Sequence, residues 1–286
     1  MLISAFRLNS PHSYTGRSVL LLFFKNFLEF INSFKRRGLP LAQKIRLKRI
    51  KNSKKGKTLL LLGNGPSVLK LDRHKVSESF SELMVVNNYL DLEFSDKLIP
   101  DYFCISDPNS FMNNDSKLQK YIDKHKITII ASHFYRKLPN LQNKETIFFN
   151  DKEIHFPFWK NINPQFPRSY SSYTFYKALS VAIYMGYDTI FILGLDNTEF
   201  FSYRSNESNE IFLDLENFYG QNSCGKSFEG KSIKSLSGFP DGLAGRLQSY
   251  ALAYGDLRLF DKFKIINLDP NSLITNFSKD KSGTQD

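Results

Sequence analysis

The stretch TLLLLGNGPS, residues 58–67, decides the fold of this chain. Residues 59–62 are a continuous apolar run, which is typical of a strand covered on both faces in a parallel sheet. Gly63 and Gly65 follow at once and allow a tight turn that a ligand can approach closely. Pro66 suits the first turn of a helix, so the sequence predicts a strand–turn–helix unit whose free N–H groups could bind a phosphate or a ribose. The alternative is an ordinary connection in which the glycines serve geometry alone.

Further apolar runs alternate with helical patterns along the chain. We expect strands at residues 82–90, 99–106, 126–132, 146–149, 188–195 and 264–268, and helices that include 114–125, 171–187 and 243–260. This alternation predicts an α/β fold, a Rossmann-like doubly wound and mostly parallel sheet. Residues 199–242 are polar and aromatic without strong periodicity, and so long a stretch favours a functional lid.

Polar residues lie just past the ends of four predicted strands: Asn64, Asn87, Asp107 and His133. In open α/β sheets ligands bind beyond the carboxyl ends of the strands, so we expect these residues to line one cleft. Each of them taken alone could be a helix cap or a turn former. Their repetition at corresponding places indicates a common site.

The basic charge of the chain is concentrated in one segment. The net charge is +11, yet eleven of the 39 basic residues lie in residues 35–57, which contain no acidic residue, and the remaining 28 balance the 28 acidic residues. A nucleic-acid-binding face on the fold itself is therefore not expected. The two cysteines, Cys104 and Cys224, do not make a disulfide framework, which fits a reducing cytoplasm.

An apolar, Phe-rich helix precedes the basic segment at residues 18–34. Lys25, Asn26 and Glu29 interrupt it, so a transmembrane span is not indicated, and the order of charges does not fit a signal peptide. We divide the chain into an N-terminal helix and basic arm, residues 1–56, and an α/β domain, residues 57–286. An amphipathic helix beside a cationic arm predicts contact of residues 18–57 with an anionic membrane surface. The alternative is that the helix packs on the body or on a second subunit.

Five short motifs resemble, in their order and placement, those of the bacterial lipo-oligosaccharide sialyltransferases. They are Gly63-Asn64-Gly65-Pro66-Ser67, Val86-Asn87-Asn88, Asp107-Pro108, the segment from Ala182 to Asp196, and Pro270-Asn271-Ser272-Leu273. The chain is also similar to a wider set that shares the fold of archaeal hydroxymethylpterin pyrophosphokinases. The resemblance covers about residues 57–277.

This resemblance implies a homo-oligomeric enzyme with a lid that works without a metal or other cofactor. It implies inverting transfer of a sugar from a CMP-linked donor, which is a co-substrate, to a surface glycan such as lipopolysaccharide or capsule. The residues that it implies for donor binding are Asn64, Gly65 and Ser67 at the nucleotide, Asn87 and Thr174 at the phosphate or carboxylate, Gly194 and Asp196 at the ribose, the lid tyrosines Tyr203 and Tyr219 at the leaving phosphate, and Asn271 and Ser272 at the base.

Two departures from the family leave the catalytic base open. The family has a lid histidine, but no histidine follows His155 here, and the nearest counterpart, Asn217, cannot take a proton. Asp107 replaces a family asparagine near the donor's carboxylate, and two carboxylates repel, so either the sugar differs or Asp107 has another role. We consider Asp107 first as the base, then His133, His155 and Asp196.

Two other functions stay open on the same scaffold. A pyrophosphokinase-like enzyme would need acidic metal ligands, and the sequence shows no metal-ligand spacing. A non-catalytic scaffold of a polysaccharide assembly complex is the third hypothesis, because the family histidine is absent.

Overall fold

A computed structural model describes residues 39–107, 115–138, 146–154, 160–197 and 253–280, together with residues 24, 27, 28, 31, 141, 203–205, 211–213 and 251. The backbone of residues 24, 27, 28 and 31 is helical, whereas the rest of the predicted N-terminal helix lies outside the described residues. No helix in the described part of the chain has the length and apolar character needed to cross a membrane. The division of the chain at residue 57 stays a prediction.

One parallel sheet forms the centre of the molecule. Its strands are β1 (Thr58–Leu62), β2 (Glu82–Val86), β3 (Tyr102–Ile105), β4 (Thr128–Ser132), β5 (Ile147–Phe149), β6 (Thr189–Leu193), β9 (Ile265–Asn267) and β10 (Ser278–Lys279). These eight strands lie in the order β10-β9-β6-β1-β2-β3-β4-β5, and every pair is parallel. The predicted α/β fold is therefore confirmed.

Both faces of β1 are covered, as its unbroken apolar run predicts. Leu60 and Leu62 pack into one hydrophobic cluster, whereas Leu59 and Leu61 pack into a second cluster on the opposite face. Successive side chains of a strand point to opposite faces, so a strand between two layers must be apolar at every position.

The α-helices whose bounds the structure gives are α1 (Leu41–Ile50), α2 (Arg73–Ser79), α3 (Asp115–His125) and α4 (Thr174–Met185). Helix α4 covers the face of Leu59 and Leu61, and its own side chains are almost all buried. It ends where Gly186 adopts a φ of 84° and donates its N–H to the carbonyl groups of Ala182 and Ile183. That left-handed conformation is the one that favours glycine at a helix end.

The sheet reverses its direction of growth beside β1. The chain proceeds from β1 through β2, β3 and β4 to β5 on one side, and then returns to place β6 on the other side. This reversal is a topological switch point, where open α/β sheets form a crevice for ligands. The turn after β1 and the turn after β6 lie on the two sides of this switch point.

The structure corrects several boundaries. The second predicted strand ends at Val86 because Asn87 adopts a left-handed φ of 44°. Within the predicted lid, β7 (Tyr203–Ser205) and β8 (Ile211–Leu213) form an antiparallel pair, and the remainder of residues 199–242 lies outside the described residues. Of the predicted helix at 243–260, residues 253–257 are helical, and a turn follows.

Part of the predicted basic arm is helix α1, which the sequence analysis missed. Its Leu47 is fully buried in a small cluster with Leu39, Ile147 and Tyr184. Arg46 donates from Nη1 to the carbonyl oxygen of Thr146 across 2.9 Å, which fastens α1 beside β5.

Candidate functional site

The turns after β1 and β6 are packed directly against each other. The N–H of Gly63 donates to the carbonyl oxygen of Leu193 at 2.7 Å, and the N–H of Gly65 donates to that of Gly194 at 2.9 Å. A Cβ at Gly63 would collide with the Gly194 carbonyl, and a Cβ at Gly65 would collide with the carboxylate of Asp196. The two glycines therefore permit close packing of these turns.

The carboxylate of Asp196 occupies the first turn after β1. Its Oδ2 accepts the backbone N–H of Ser67 at 2.9 Å, and its Oδ1 is hydrogen-bonded to the Ser67 hydroxyl. The Ser67 Oγ in turn accepts the N–H of Gly194 at 3.0 Å. The expectation that this turn offers free N–H groups to a phosphate is thus wrong for Gly63, Gly65 and Ser67, whose N–H groups are bonded within the protein.

A second carboxyl group, that of Asp269, lies beside Asp196. Burial, and to a lesser extent the neighbouring Asp269, raises the pKa of Asp196 to about 6. These two effects outweigh the hydrogen bonds from Ser67, which lower the pKa. Both side chains are buried, and two buried carboxylates in contact hold a proton more readily than one in water. This pair joins the turn after β9 to the turn after β6.

The turn after β9 brings two further predicted residues close to Asp196. Ser272 donates its hydroxyl to the carbonyl oxygen of Leu195 at 2.7 Å, and the N–H of Leu273 donates to the carbonyl oxygen of Asp196 at 3.0 Å. The N–H of Asn271 donates to Oδ1 of Asp269 at 3.0 Å. Asn271 and Ser272 therefore belong to the same group of strand ends as Gly194 and Asp196.

Asn64 is the candidate donor-binding residue in the turn after β1. Its Oδ1 is buried and has no hydrogen-bond partner within the described part of the chain. A buried acceptor without a donor is costly, and such an atom is explained when a ligand or water supplies the donor. The ring of Phe175, in the first turn of α4, lies 3.2 Å from where a Cβ on Gly63 would be. A side chain of α4 thus packs against the turn that carries Asn64.

A cluster of amide and hydroxyl groups follows β2 and β3. Asn87 donates from Nδ2 to Oγ1 of Thr174 at 3.0 Å, and Thr174 shares a hydrogen bond of 2.6 Å with Ser106. Ser106 directly follows β3, and Thr174 is the first residue of α4. The sequence predicted Asn87 and Thr174 but missed Ser106, whose place beside Asp107 at a strand end was the available signal.

A buried ionic network contacts this cluster through Lys177. Lys177 is 2% exposed, and its Nζ lies 3.2 Å from the Ser106 hydroxyl and 2.9 Å from Oδ2 of Asp151. Arg168 binds the other oxygen of Asp151 through Nε at 2.9 Å and binds Glu153 through Nη2 at 2.7 Å. Burial lowers the pKa of Lys177, while the charge of Asp151 acts in the opposite direction. Sequence reasoning missed these four residues, although a lone lysine in the apolar helix α4 was a signal.

Two candidate bases lie at the same edge of the sheet. Asp107 follows β3, and His133 follows β4, the next strand in the sheet. Tyr135 links the two turns, because its hydroxyl donates to the carbonyl oxygen of Ser106 at 3.3 Å. Burial, aided by the charge of Arg136, lowers the pKa of His133, whose buried Nδ1 has no partner among the described residues. A neutral imidazole of this kind is able to accept a proton.

The remaining predicted residues are not placed by the structure. His155 and Tyr219 lie outside the described residues, and Tyr203 is described only as part of β7. Across the described ranges, no group of three or more His, Cys, Asp or Glu side chains could hold a metal ion.

Comparisons with known proteins give structural likenesses alone. No protein-family model matches the chain, and no curated protein matches its sequence. The sialyltransferase CstII from Campylobacter jejuni, in complex with the substrate analogue CMP-3FNeuAc, is similar at 18% identity and a TM-score of 0.45, over 80% of this chain and 89% of that one.

Two further solved structures are similar to the same degree. CST-II in complex with a trisaccharide acceptor and CMP gives 18% identity and a TM-score of 0.43, over 80% of this chain and 88% of that one. The monofunctional alpha-2,3-sialyltransferase Cst-I from Campylobacter jejuni gives 17% identity and a TM-score of 0.41, over 79% and 80% of the two chains. Likenesses of this size leave the function to be inferred from the chain's own residues.

Proposed function

We propose that this protein is a glycosyltransferase that takes a sugar from a nucleotide-activated, CMP-linked donor. The observation that carries the proposal is the hydrogen bond between Asn87 and Thr174, which joins the end of β2 to the first residue of α4 across 87 positions of the sequence. With Asn64 on the neighbouring turn, amide and hydroxyl groups converge where nucleotides bind in open α/β sheets. The choice of CMP rests on the motif resemblance.

The described residues fall into two roles under this proposal. The amide of Asn64 would bind the nucleotide, while Asn87 and Thr174 would bind the donor's phosphate or carboxylate at the positive end of α4. The Asp196–Ser67 pair would shape the turn that carries Asn64, because its hydrogen bonds join the turn after β6 to the turn after β1.

The reaction is an inverting displacement at the anomeric carbon. A base removes the proton from the acceptor hydroxyl, the acceptor oxygen forms its bond to the anomeric carbon, and the bond from that carbon to the phosphate oxygen breaks as CMP departs. Asp107 is the first candidate for the base, and His133, His155 and Asp196 are the others. Lid tyrosines, Tyr203 and Tyr219, would stabilise the charge that develops on the leaving phosphate.

The acceptor is proposed to be a bacterial surface glycan, such as a lipid-linked precursor of lipopolysaccharide or capsule. Such acceptors are assembled at the cytoplasmic face of the inner membrane, where we place the protein. A homo-oligomer is part of the same proposal, since the motif resemblance implies one.

Nucleotide binding tests the proposal directly. In a calorimetric panel of CMP, CDP, UDP, GDP and ATP with Mg²⁺, we expect CMP to bind best, and N64A to weaken CMP binding tenfold or more. The matched control is Q119A, because Gln119 carries the same amide group on α3, away from the strand ends. Release of CMP from CMP-linked sugars, with and without glycan acceptors, then measures turnover. Absence of CMP binding would refute the proposal.

An acidic pair in the structure is the reason that the nucleotide panel also tests the pyrophosphokinase alternative. The structure brings Asp196 and Asp269 together, an acidic pair that the sequence did not indicate. Preference for ATP with Mg²⁺ over CMP would favour this alternative, whereas CMP binding without turnover of any donor would favour the non-catalytic scaffold.

A further inference from the structure

Helix α1 has one face that is bound to the body of the protein. Leu47 is fully buried against Ile147 and Tyr184, and Arg46 is hydrogen-bonded to the carbonyl of Thr146. The following segment is also fastened, because the N–H groups of Asn52 and Lys54 donate to carbonyl groups at the end of α4 at 3.1 and 2.9 Å. The helix is therefore a fixed element beside β5, the edge strand of the sheet.

The opposite face of α1 combines apolar and cationic side chains. Leu41 is 74% exposed and Ile45 is 45% exposed, one helical turn apart. Lys44, Lys48 and Arg49 are exposed around them. We define these five residues as the α1 outer face.

Within the described part of the chain, no acidic side chain forms a salt bridge with the α1 outer face. No Asp or Glu occurs in residues 35–57, and the salt bridges described for this segment, from Lys54 and Lys57 to Glu82, lie outside the outer face. Exposed Leu and Ile beside clustered Lys and Arg is the combination with which interfacial helices insert apolar side chains among anionic headgroups.

We propose that the α1 outer face docks on an anionic lipid surface. A second copy of the same face is disfavoured, because a symmetric contact would bring the three cations of each copy together. The bilayer would then lie along the β5 edge of the sheet, in a fixed orientation, because α1 is packed on the body. This contact does not depend on the proposed reaction.

Sedimentation of the full chain with lipid vesicles tests this inference. We expect at least tenfold stronger binding to phosphatidylcholine vesicles with 30% phosphatidylserine than to phosphatidylcholine alone, falling as salt rises from 0.1 to 0.5 M. The triple variant K44Q/K48Q/R49Q should bind the anionic vesicles at least tenfold more weakly. The double variant L41S/I45S should also lose binding, by roughly tenfold.

Matched control variants remove the same kinds of side chain at positions outside the α1 outer face. The variant K97Q/K120Q/K124Q removes three exposed cations elsewhere, and L69S removes an exposed leucine elsewhere, so both should bind as wild type does. Equal binding by K44Q/K48Q/R49Q and wild type, or equal losses in the controls, would overturn the proposal. A lower mass of L41S/I45S in light scattering, with unchanged vesicle binding, would overturn it in favour of an interface between copies.

Discussion

The backbone N–H of Ser67 donates to Oδ2 of Asp196 across 2.9 Å, although the two residues are 129 positions apart. In phosphate-binding turns of similar sequence pattern, the N–H groups at a helix start face a ligand anion. Here a carboxyl group of the protein takes that place and ties β1 to β6. Under the proposed function, the donor would therefore be bound by Asn64 and Asn87 rather than by the N–H of Ser67.

The free energy of unfolding should depend on pH because Asp196, beside Asp269, holds a proton more tightly in the folded protein. Folding raises the pKa of Asp196 from 3.8 to about 6, so the native state binds its proton more tightly than the unfolded state does. The stabilisation is complete below about pH 4 and is lost as the pH rises through 6, a change of roughly 2–3 kcal/mol. In D196N the group cannot titrate, so the stability difference between wild type and D196N should shrink by this amount from pH 4 to pH 7 in urea unfolding. The control D123N, on the exposed face of α3, should follow wild type, and parallel curves for wild type and D196N would contradict the prediction.

Alanine substitutions at two glycines should change the free energy of unfolding in opposite directions, because only one of these glycines lies in the closely packed switch-point turns. G63A places a Cβ against the Gly194 carbonyl, which is backbone and cannot rotate away, so we expect a loss of about 3 kcal/mol or more in the free energy of unfolding. Gly255 lies in the helical residues 253–257 with nothing within 4 Å of its added Cβ, so G255A should stabilise by about 0.5–1 kcal/mol. Chemical denaturation of both variants provides the measurement. A neutral G63A would mean that the two turns are not in contact.

Removing a cation from the buried network around Asp151 should lower the free energy of unfolding far more than removing a cation from an exposed ion pair. K177M leaves the buried Asp151 with one cation fewer and removes a donor from Ser106, and we expect a loss of about 3 kcal/mol. K117M breaks the exposed pair with Asp91 and should cost less than about 1 kcal/mol. The double variant K177M/D151N should lose less than the sum of the single variants, because each partner is costly chiefly when it is left alone. Additive losses would show that Lys177 and Asp151 do not interact.

Much of the fold follows from local sequence, whereas the site depends on strand order. The unbroken run 59–62 identifies β1, because burial on both faces leaves no alternation. The contacts of Asp196 with Ser67 and Asp269 arise because β6 lies between β1 and β9, which no local pattern encodes. The sequence did not predict helix α1, because Leu47 is its only fully buried side chain. A single buried position among many cations gives no clear helical periodicity of apolar residues.

The identity of the base is the prediction on which the proposed chemistry turns. Asp107 follows β3 beside Ser106, which binds Thr174, so its carboxylate lies at the edge where the donor is proposed to bind. We expect D107N to lower kcat by roughly 10²–10⁴ with little change in CMP affinity, because general bases contribute about that much. H133Q, on the next strand end, should lower kcat less than tenfold.

The choice of donor separates a base from a residue that merely selects the sugar. If Asp107 is the base, D107N should turn over every CMP-linked donor more slowly than wild type does, while retaining CMP binding by calorimetry. A selective role predicts the reverse: removing the negative charge would improve use of a donor that carries its own carboxylate, such as a CMP-sialic acid, since the repulsion between the two carboxylates would vanish. Faster turnover of that donor by D107N would therefore exclude Asp107 as the base and leave His133, His155 and Asp196 as the candidates.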